Sequence, residues 1–235
     1  MFKNILGIIP ARAGSKRVKN KNFRNFAGTT LTDLAIQQAL SAKLLDKVVL
    51  TSDDAQAKSI GSKYTDLIII ERPKSISLDH SPAIEYQLHA LQYMKKEYNQ
   101  TFDLVVVIQP SSPFRSGKDI DGTIRLLKNN PHSDSAVSVT KLSHMVHPHK
   151  LKTMKGNQLI PFIKDEKEKT EAEILPQIYV RNCAVYVFKV PNIIIGVQLG
   201  SNSIGFVMPE ETGIDINSNN EFRYAEYIFK KNDFS

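Results

Sequence analysis

A three-layer α/β domain with a mainly parallel sheet is the fold class this sequence predicts, and three observations predict it. Short apolar runs rich in Val and Ile recur without polar alternation, as strands covered on both faces require. Segments with apolar residues at spacings of three and four separate those runs, as covering helices require. At 235 residues, 41% of them hydrophobic, the chain is long enough to bury one large core.

The strands are expected at Ile5–Ile9, Val48–Thr51, Leu67–Ile70, Leu104–Ile108, Ala136–Val139 and Ala184–Phe188. Helical spacing runs over Thr32–Leu44, Ile84–Met94, Ile120–Leu127 and Phe222–Phe229. Strand, loop, helix, strand is the order of a parallel sheet with helices on its faces. Lys150–Pro176 departs from it, rich in Lys and Glu and poor in apolar residues. It reads as a flexible excursion, an arm reaching a second subunit, or a solvated helix. One domain over 1–235 accounts for the whole pattern.

The first apolar run stops at Pro10 and opens into "ARAGSKRVKNKN", which carries Arg12, Lys16, Arg17, Lys19 and Lys21. In doubly wound sheets, ligands bind beyond the carboxyl ends of the strands, and this loop occupies such a place. Gly14 permits close backbone approach, Ser15 offers a hydroxyl and an amide, Arg12 can grip phosphate oxygens bidentately, and Lys16 and Lys21 are mobile point charges. The spacing is neither a Walker A loop nor a dinucleotide fingerprint.

A net charge of +7 favours anionic partners. The single cysteine, Cys183, excludes an internal disulfide and suits a reducing cytoplasm. "ILGII" is too short for a signal-peptide core or a membrane span, so a cytoplasmic protein with no membrane partner is expected. His144, His147 and His149 invite a zinc reading but lack the accompanying Cys or carboxylate ligands at ordered spacings. Asp53 and Asp54 can contact ribose or magnesium, or simply turn the chain.

"IIPARAGSKRVKNKN" resembles the opening signature of the CMP-sugar synthetases, cytidylyltransferases that activate acidic sugars, and is most similar to their N-acylneuraminate, legionaminate and pseudaminate branch. "TSDD" (Thr51–Asp54), "ERPKSISLDHS" (Glu71–Ser81), "QPSSPFRSGKDI" (Gln109–Ile120), "LPQIYVRNCAVYVF" (Leu175–Phe188) and "GIDINSNNEF" (Gly213–Phe222) follow in family order. The resemblance implies a Rossmann-like nucleotidyltransferase fold with a protruding dimerisation arm at about 145–176, and a homodimer. It implies transfer of CMP from CTP to the anomeric hydroxyl of an acidic nonulosonic sugar.

By the same resemblance, Arg12, Ser15, Lys16, Lys21 and Asn22 hold the CTP phosphates, with Lys21 and Arg12 catalytic. Arg72 helps select cytosine, and Ser81 stands near an Ala83 that replaces a base-contacting serine. Gln109 lies at the junction of nucleotide and sugar pockets and shares in catalysis; Arg115 reads equally as structural or phosphate-facing. Lys150, Arg181 and Asn182 face the sugar.

Magnesium is expected on Asp215 with Asn217, where relatives carry two aspartates. Ser218 and Glu221 form a capping box for the following helix. Ala172 replaces an arginine before "LP", and Cys183 stands where glycine is common.

Two rival readings remain. A pI near 9.3 suits nucleic acid, but the cations sit in one loop without interleaved aromatics, so no nucleic-acid partner is expected. Asn217 and Ala172 suit a homologue that binds nucleotide without turnover.

Overall fold

The apolar runs become the strands of one sheet in the computed structural model, which describes residues 2–163 and 175–231. In chain order the elements begin with β1 (Ile5–Pro10), β2 (Asn25–Phe26), β3 (Thr29–Thr30), α1 (Leu31–Leu40), β4 (Lys47–Ser52) and α2 (Ala55–Gly61). β5 (Leu67–Glu71), α3 (Ala83–Tyr98), β6 (Leu104–Ile108), α4 (Gly117–Asn129) and β7 (Ser135–Lys141) follow. Then come β8 (Lys152–Lys155), β9 (Gln158–Pro161), β10 (Tyr179–Lys189), α5 (Val190–Ile194), β11 (Ser203–Met208) and α6 (Asn219–Lys231).

The seven-stranded sheet has the order β11-β7-β10-β6-β1-β4-β5. Every pairing is parallel except those of β10, which runs antiparallel between β6 and β7. All six expected strands and four expected helices are present. Alternate residues of β1 point to opposite faces. Ile5 and Ile9 pack with Ile36 of α1, Ala57 of α2 and Ile124 of α4, whereas Leu6 and Ile8 pack with Met94 of α3 and Ile193 of α5. Three layers result, as the double-sided apolar runs require.

A third cluster fixes the C-terminus. Phe26 meets the Phe222 ring edge-on at 5.4 Å and the Phe229 ring at 5.3 Å, clamping α6 beside the short β2–β3 hairpin. The segment 213–218 is thereby held against the loop that follows β1. As expected, Ser218 Oγ accepts from Glu221 N at 3.2 Å, while the Glu221 carboxylate accepts from Asn217 N at 2.7 Å.

Several elements differ from the reading above. α1 ends four residues early because the amides of Lys43 and Leu44 donate to Asp121 Oδ1 rather than to the helix. β10 starts at Tyr179, five residues before the apolar run, and α2 and β11 were not anticipated. Over 152–161 the Lys-rich excursion is a β-hairpin rather than a helix, turning at Gly156 with φ +59°. Ala172 lies outside the described residues. No helix among the described residues is long and apolar enough to cross a membrane.

Candidate functional site

The loop 11–24 leaves β1 at the carboxyl end of the sheet and is tied down by its neighbours. Ala11 N donates to Thr51 O at 3.1 Å and Ala13 N donates to Asp53 Oδ1 at 2.8 Å. The buried Asn22 amide donates to Arg12 O at 3.2 Å, and Thr32 Oγ1 donates to Asn22 O at 2.8 Å. Gly14 takes φ +74°, which frees the loop to curl back. Asp53 is thus a loop tie and Asp54, which accepts from Gln56 N at 2.9 Å, caps α2.

The curled loop forms one wall of a cavity of about 280 Å³. Arg12, Ser15, Lys16, Lys21, Asn22, Arg72, Ser81 and Gln109 line it together, although they are far apart along the chain. β1 brings the loop, β5 ends beside Arg72, and β6 ends at Gln109. Arg72 is buried, its Nη2 donating to Thr51 O at 2.8 Å and its Nε to Thr51 Oγ1 at 3.2 Å. Its guanidinium stacks 4.7 Å from the Tyr86 ring centre, and burial lowers its pKa from the ordinary arginine value.

Arg115 does not line this cavity. It lies fully buried beneath the 109–112 turn, donating through Nη1 to Gln109 O at 2.6 Å and to Ser112 O at 2.7 Å. Burial pulls its pKa down to about 9. Of its two readings, the structural one holds.

Lys21 occupies the inner end of the cavity. Its ammonium donates to Ile216 O at 2.6 Å, and Ile216 N donates to Ser111 O at 2.9 Å, so the C-terminal segment is stitched to both the loop and the β6 turn. Burial lowers the Lys21 pKa, partly opposed by the nearby Asp215 carboxylate.

Asp215 lies just beyond. Its Oδ2 accepts from Asn217 Nδ2 at 2.8 Å, while its Oδ1 is buried with no hydrogen-bond partner. A buried carboxylate oxygen without a donor is short of positive charge. It fits a divalent ion that takes its remaining ligands from substrate phosphate and water, with the Asn217 amide, whose Nδ2 now faces Asp215, turned to present its oxygen.

The residues expected at the sugar separate. Asn182 is buried, its Nδ2 donating to Thr140 Oγ1 at 2.9 Å and its Oδ1 accepting from Ala184 N at 3.2 Å, so its amide is spent on pinning β10 to β7. Arg181 is exposed on the first stretch of β10. Lys150 Nζ sits 2.8 Å from His144 Nδ1, away from the cavity. His147 is buried against Pro176 O at 3.2 Å and stacks on His149. No group of three His, Cys, Asp or Glu side chains able to hold a metal occurs among the described residues.

Two cavity residues escaped the sequence reading. Tyr86 supplies the face on which Arg72 stacks. Asp79 bridges Arg12 Nη2 at 2.7 Å and Lys16 Nζ at 2.5 Å, so a carboxylate lies on the two outer cations of the loop. Those ion pairs, Lys16 first, hold the Asp79 pKa below the ordinary carboxylate value. All three groups are partly exposed, which keeps the bridge weak. An anionic ligand at Arg12 and Lys16 competes with it. We therefore expect Asp79→Asn to lower the KM for a triphosphate by roughly two- to fivefold at low salt. Steady-state kinetics would refute this competition if the KM rose instead.

A cytidylyltransferase family model matches residues 6–198. The chain is 26% identical to post-translational flagellin modification protein B of Campylobacter coli over 98% of this chain and 97% of that one. It is also 26% identical to the N-acylneuraminate cytidylyltransferase of Escherichia coli, over 98% of this chain and 53% of that longer protein. Among solved structures, CMP:2-keto-3-deoxy-manno-octonic acid synthetase complexed with CTP superposes with a TM-score of 0.68 at 15% identity, covering 97% of this chain and 99% of that one. At that identity the superposition speaks for the fold.

Proposed function

The chain belongs to the cytidylyltransferase family, and from that premise we propose that it transfers CMP from CTP to the anomeric hydroxyl of an acidic nonulosonic sugar of the N-acylneuraminate type, releasing pyrophosphate. The observation that carries this reading is the convergence of Arg12, Ser15, Lys21, Asn22, Arg72 and Gln109 on one cavity at the carboxyl end of the sheet. The cavity joins a cationic end suited to phosphates with an arginine–tyrosine end suited to a base.

The attacking hydroxyl gives up its proton, its oxygen bonds to the α-phosphorus, and the bond to the bridging oxygen of pyrophosphate breaks. Such a displacement needs alignment and charge neutralisation more than covalent help. Arg12 and Lys16 take the outer phosphates, and Ser15 and Asn22 offer hydrogen bonds along them. Lys21 is the inner cation, beside the α-phosphate. Arg72 and Ser81 face the base, and Gln109 orients the acceptor. Magnesium, held by Asp215 and the Asn217 amide oxygen, would supply further charge neutralisation on the phosphates.

Arg181 is our choice for the sugar carboxylate, with Lys150 as a second sugar contact. Asn182 acts behind them by holding the start of β10. The β8–β9 hairpin carries exposed Met154 (68%) and Leu159 (62%), followed by exposed Phe162 (63%), which suits an arm that packs on a second subunit of a homodimer.

The test is pyrophosphate release with CTP and magnesium against N-acetylneuraminate, legionaminate, pseudaminate and 3-deoxy-octulosonate, with UTP and ATP as nucleotide controls. Release with CTP and one of the first three acids is the expected result. Silence with all four, with CTP still bound, would leave a nucleotide-binding homologue without turnover, the reading that Asn217 favours. Light scattering on the same sample should give a dimer; a monomer at micromolar concentration would remove the arm's role.

A further inference from the structure

Arg115 spends only part of its guanidinium on the turn above it. Nη1 donates to Gln109 O and Ser112 O, whereas Nε and Nη2 are buried with no hydrogen-bond partner among the described residues. The side chain is 2% exposed, and buried donors without acceptors are costly, most of all on a charged group. Even with its pKa pulled down to about 9, the group is charged at neutral pH. Nε and Nη2 form the edge of the guanidinium whose parallel N–H groups match the two oxygens of a carboxylate.

Arg115 lines a second cavity, of about 570 Å³, which shares no lining residue with the cavity of Lys21 and Gln109. Pro113, Phe114, Pro209 and Phe229 give it an apolar wall. Gln38 also lines it, its Nε2 donating to Pro113 O at 2.6 Å while its Oε1 is buried without a partner. Asp119 brings the one carboxylate on the lining. Its Oδ2 is committed to the cap of α4, accepting from Ser116 N at 2.8 Å and Ser116 Oγ at 2.7 Å.

We propose that this cavity binds a small monocarboxylic acid with an apolar body, the two carboxylate oxygens accepting from Arg115 Nε and Nη2. A planar carboxylate fits the fork, and the proline and phenylalanine walls favour hydrocarbon over water. The Asp119 charge disfavours a dianion such as sulfate or phosphate. A ligand hydroxyl directed at Gln38 would satisfy Oε1 as well. Both nitrogens lie under a cover of side chains, so binding includes a small rearrangement of the cavity wall. Because the same guanidinium holds the turn that carries Gln109, occupancy is coupled to the acceptor end of the active site. That coupling rests on the CMP-transfer reading; the binding site does not.

The experiment is fluorine NMR of para-fluorobenzoate with the full chain at neutral pH, beside its neutral isostere para-fluorobenzamide. The carboxylate should bind at least about tenfold more tightly than the amide, and an equal concentration of sulfate should not displace it. Arg12→Met combined with Lys16→Met removes cations of the active-site loop and should leave the affinity unchanged. Arg115→Met should lower it at least about tenfold. That variant also strips two carbonyls of their donor and so endangers the fold. Ser41→Trp therefore serves beside it: Ser41 is the exposed C-cap of α1 and lines the cavity, so the indole should fill the space and abolish binding at a near-parental melting temperature. The proposal is overturned if acid and amide bind alike, if sulfate displaces the acid, or if a well-folded Ser41→Trp still binds it. Loss of binding in the loop variant would place the acid on Arg12 and Lys16 and overturn it too. CMP transfer without benzoate binding would sink this site alone. Binding at Arg115 without turnover on any sugar acid would sink the transferase reading and leave the site standing.

Discussion

Replacing Lys21 by methionine should lower kcat at least about 100-fold while the KM for CTP changes only a few-fold, a size typical of removing one group that stabilises developing charge. Burial makes the Lys21 ammonium costly, and the protein holds it with Ile216 O at 2.6 Å. A cation kept at that cost where Arg12 and Lys16 already supply outer binding charge is best suited to the reacting phosphate. The pH dependence follows from the same burial. Lys21 is charged only below its pKa, and that pKa is lowered. Activity that needs the charge is therefore lost as pH rises through a value below that of an ordinary lysine. Lys21→Arg keeps the charge throughout the assay range, so its reduced activity should lack that alkaline limb.

Stability carries the opposite sign. Where the unfolded chain binds the proton and the folded protein does not, stability rises with pH. Lys21→Met escapes this cost but leaves Ile216 O without its donor, so its melting temperature should stay close to that of the parent. Parental kcat in Lys21→Met would remove the lysine from the chemistry.

The strands were legible because parallel strands buried on both faces need continuous apolar runs, and Ile5–Ile9 or Leu104–Ile108 have no other ready explanation. The cationic loop was legible because it follows a strand's carboxyl end and carries the family-like signature, although Lys-rich loops are often merely solvated. What escaped depends on contacts between distant residues. Tyr179–Asn182 are too polar to read as strand, yet they pair with β7 because Asn182 is satisfied by Thr140 and the Ala184 amide. Asp79 looks like any loop aspartate until the fold sets it on Arg12 and Lys16. Arg115 read equally as phosphate-facing or structural, because whether a guanidinium meets a ligand or two carbonyls is decided by the turn above it. A glycine-favouring backbone at 183 could be suspected from resemblance, but the contact of its thiol with the Tyr186 hydroxyl could not.

Replacing Arg72 by methionine should raise the KM for CTP by about 10- to 100-fold and reduce the preference for CTP over UTP by a similar factor. A site that presents fixed donors to a base rejects the analogue with the wrong acceptors, and loses that discrimination with the donors. Arg72 is suited to this because it is held on three sides. Two hydrogen bonds to Thr51 fix its plane, its own amide donates to Ser52 O at 2.8 Å, and Tyr86 covers one face. Burial lowers its pKa from the ordinary arginine value, and guanidinium groups as a class stay charged at neutral pH. Arg72→Lys should recover little, since an ammonium cannot make both Thr51 contacts and stack on the ring at once. Tyr86→Leu removes the stacking face but leaves the donors, so it should raise the KM several-fold with kcat nearly unchanged. Competition between CTP and UTP in one reaction measures the ratio directly. If Arg72→Met discriminates between the two nucleotides as well as the parent does, base selection belongs to the backbone around Ser81 and Ala83, and Arg72 is a strut between β4 and α3.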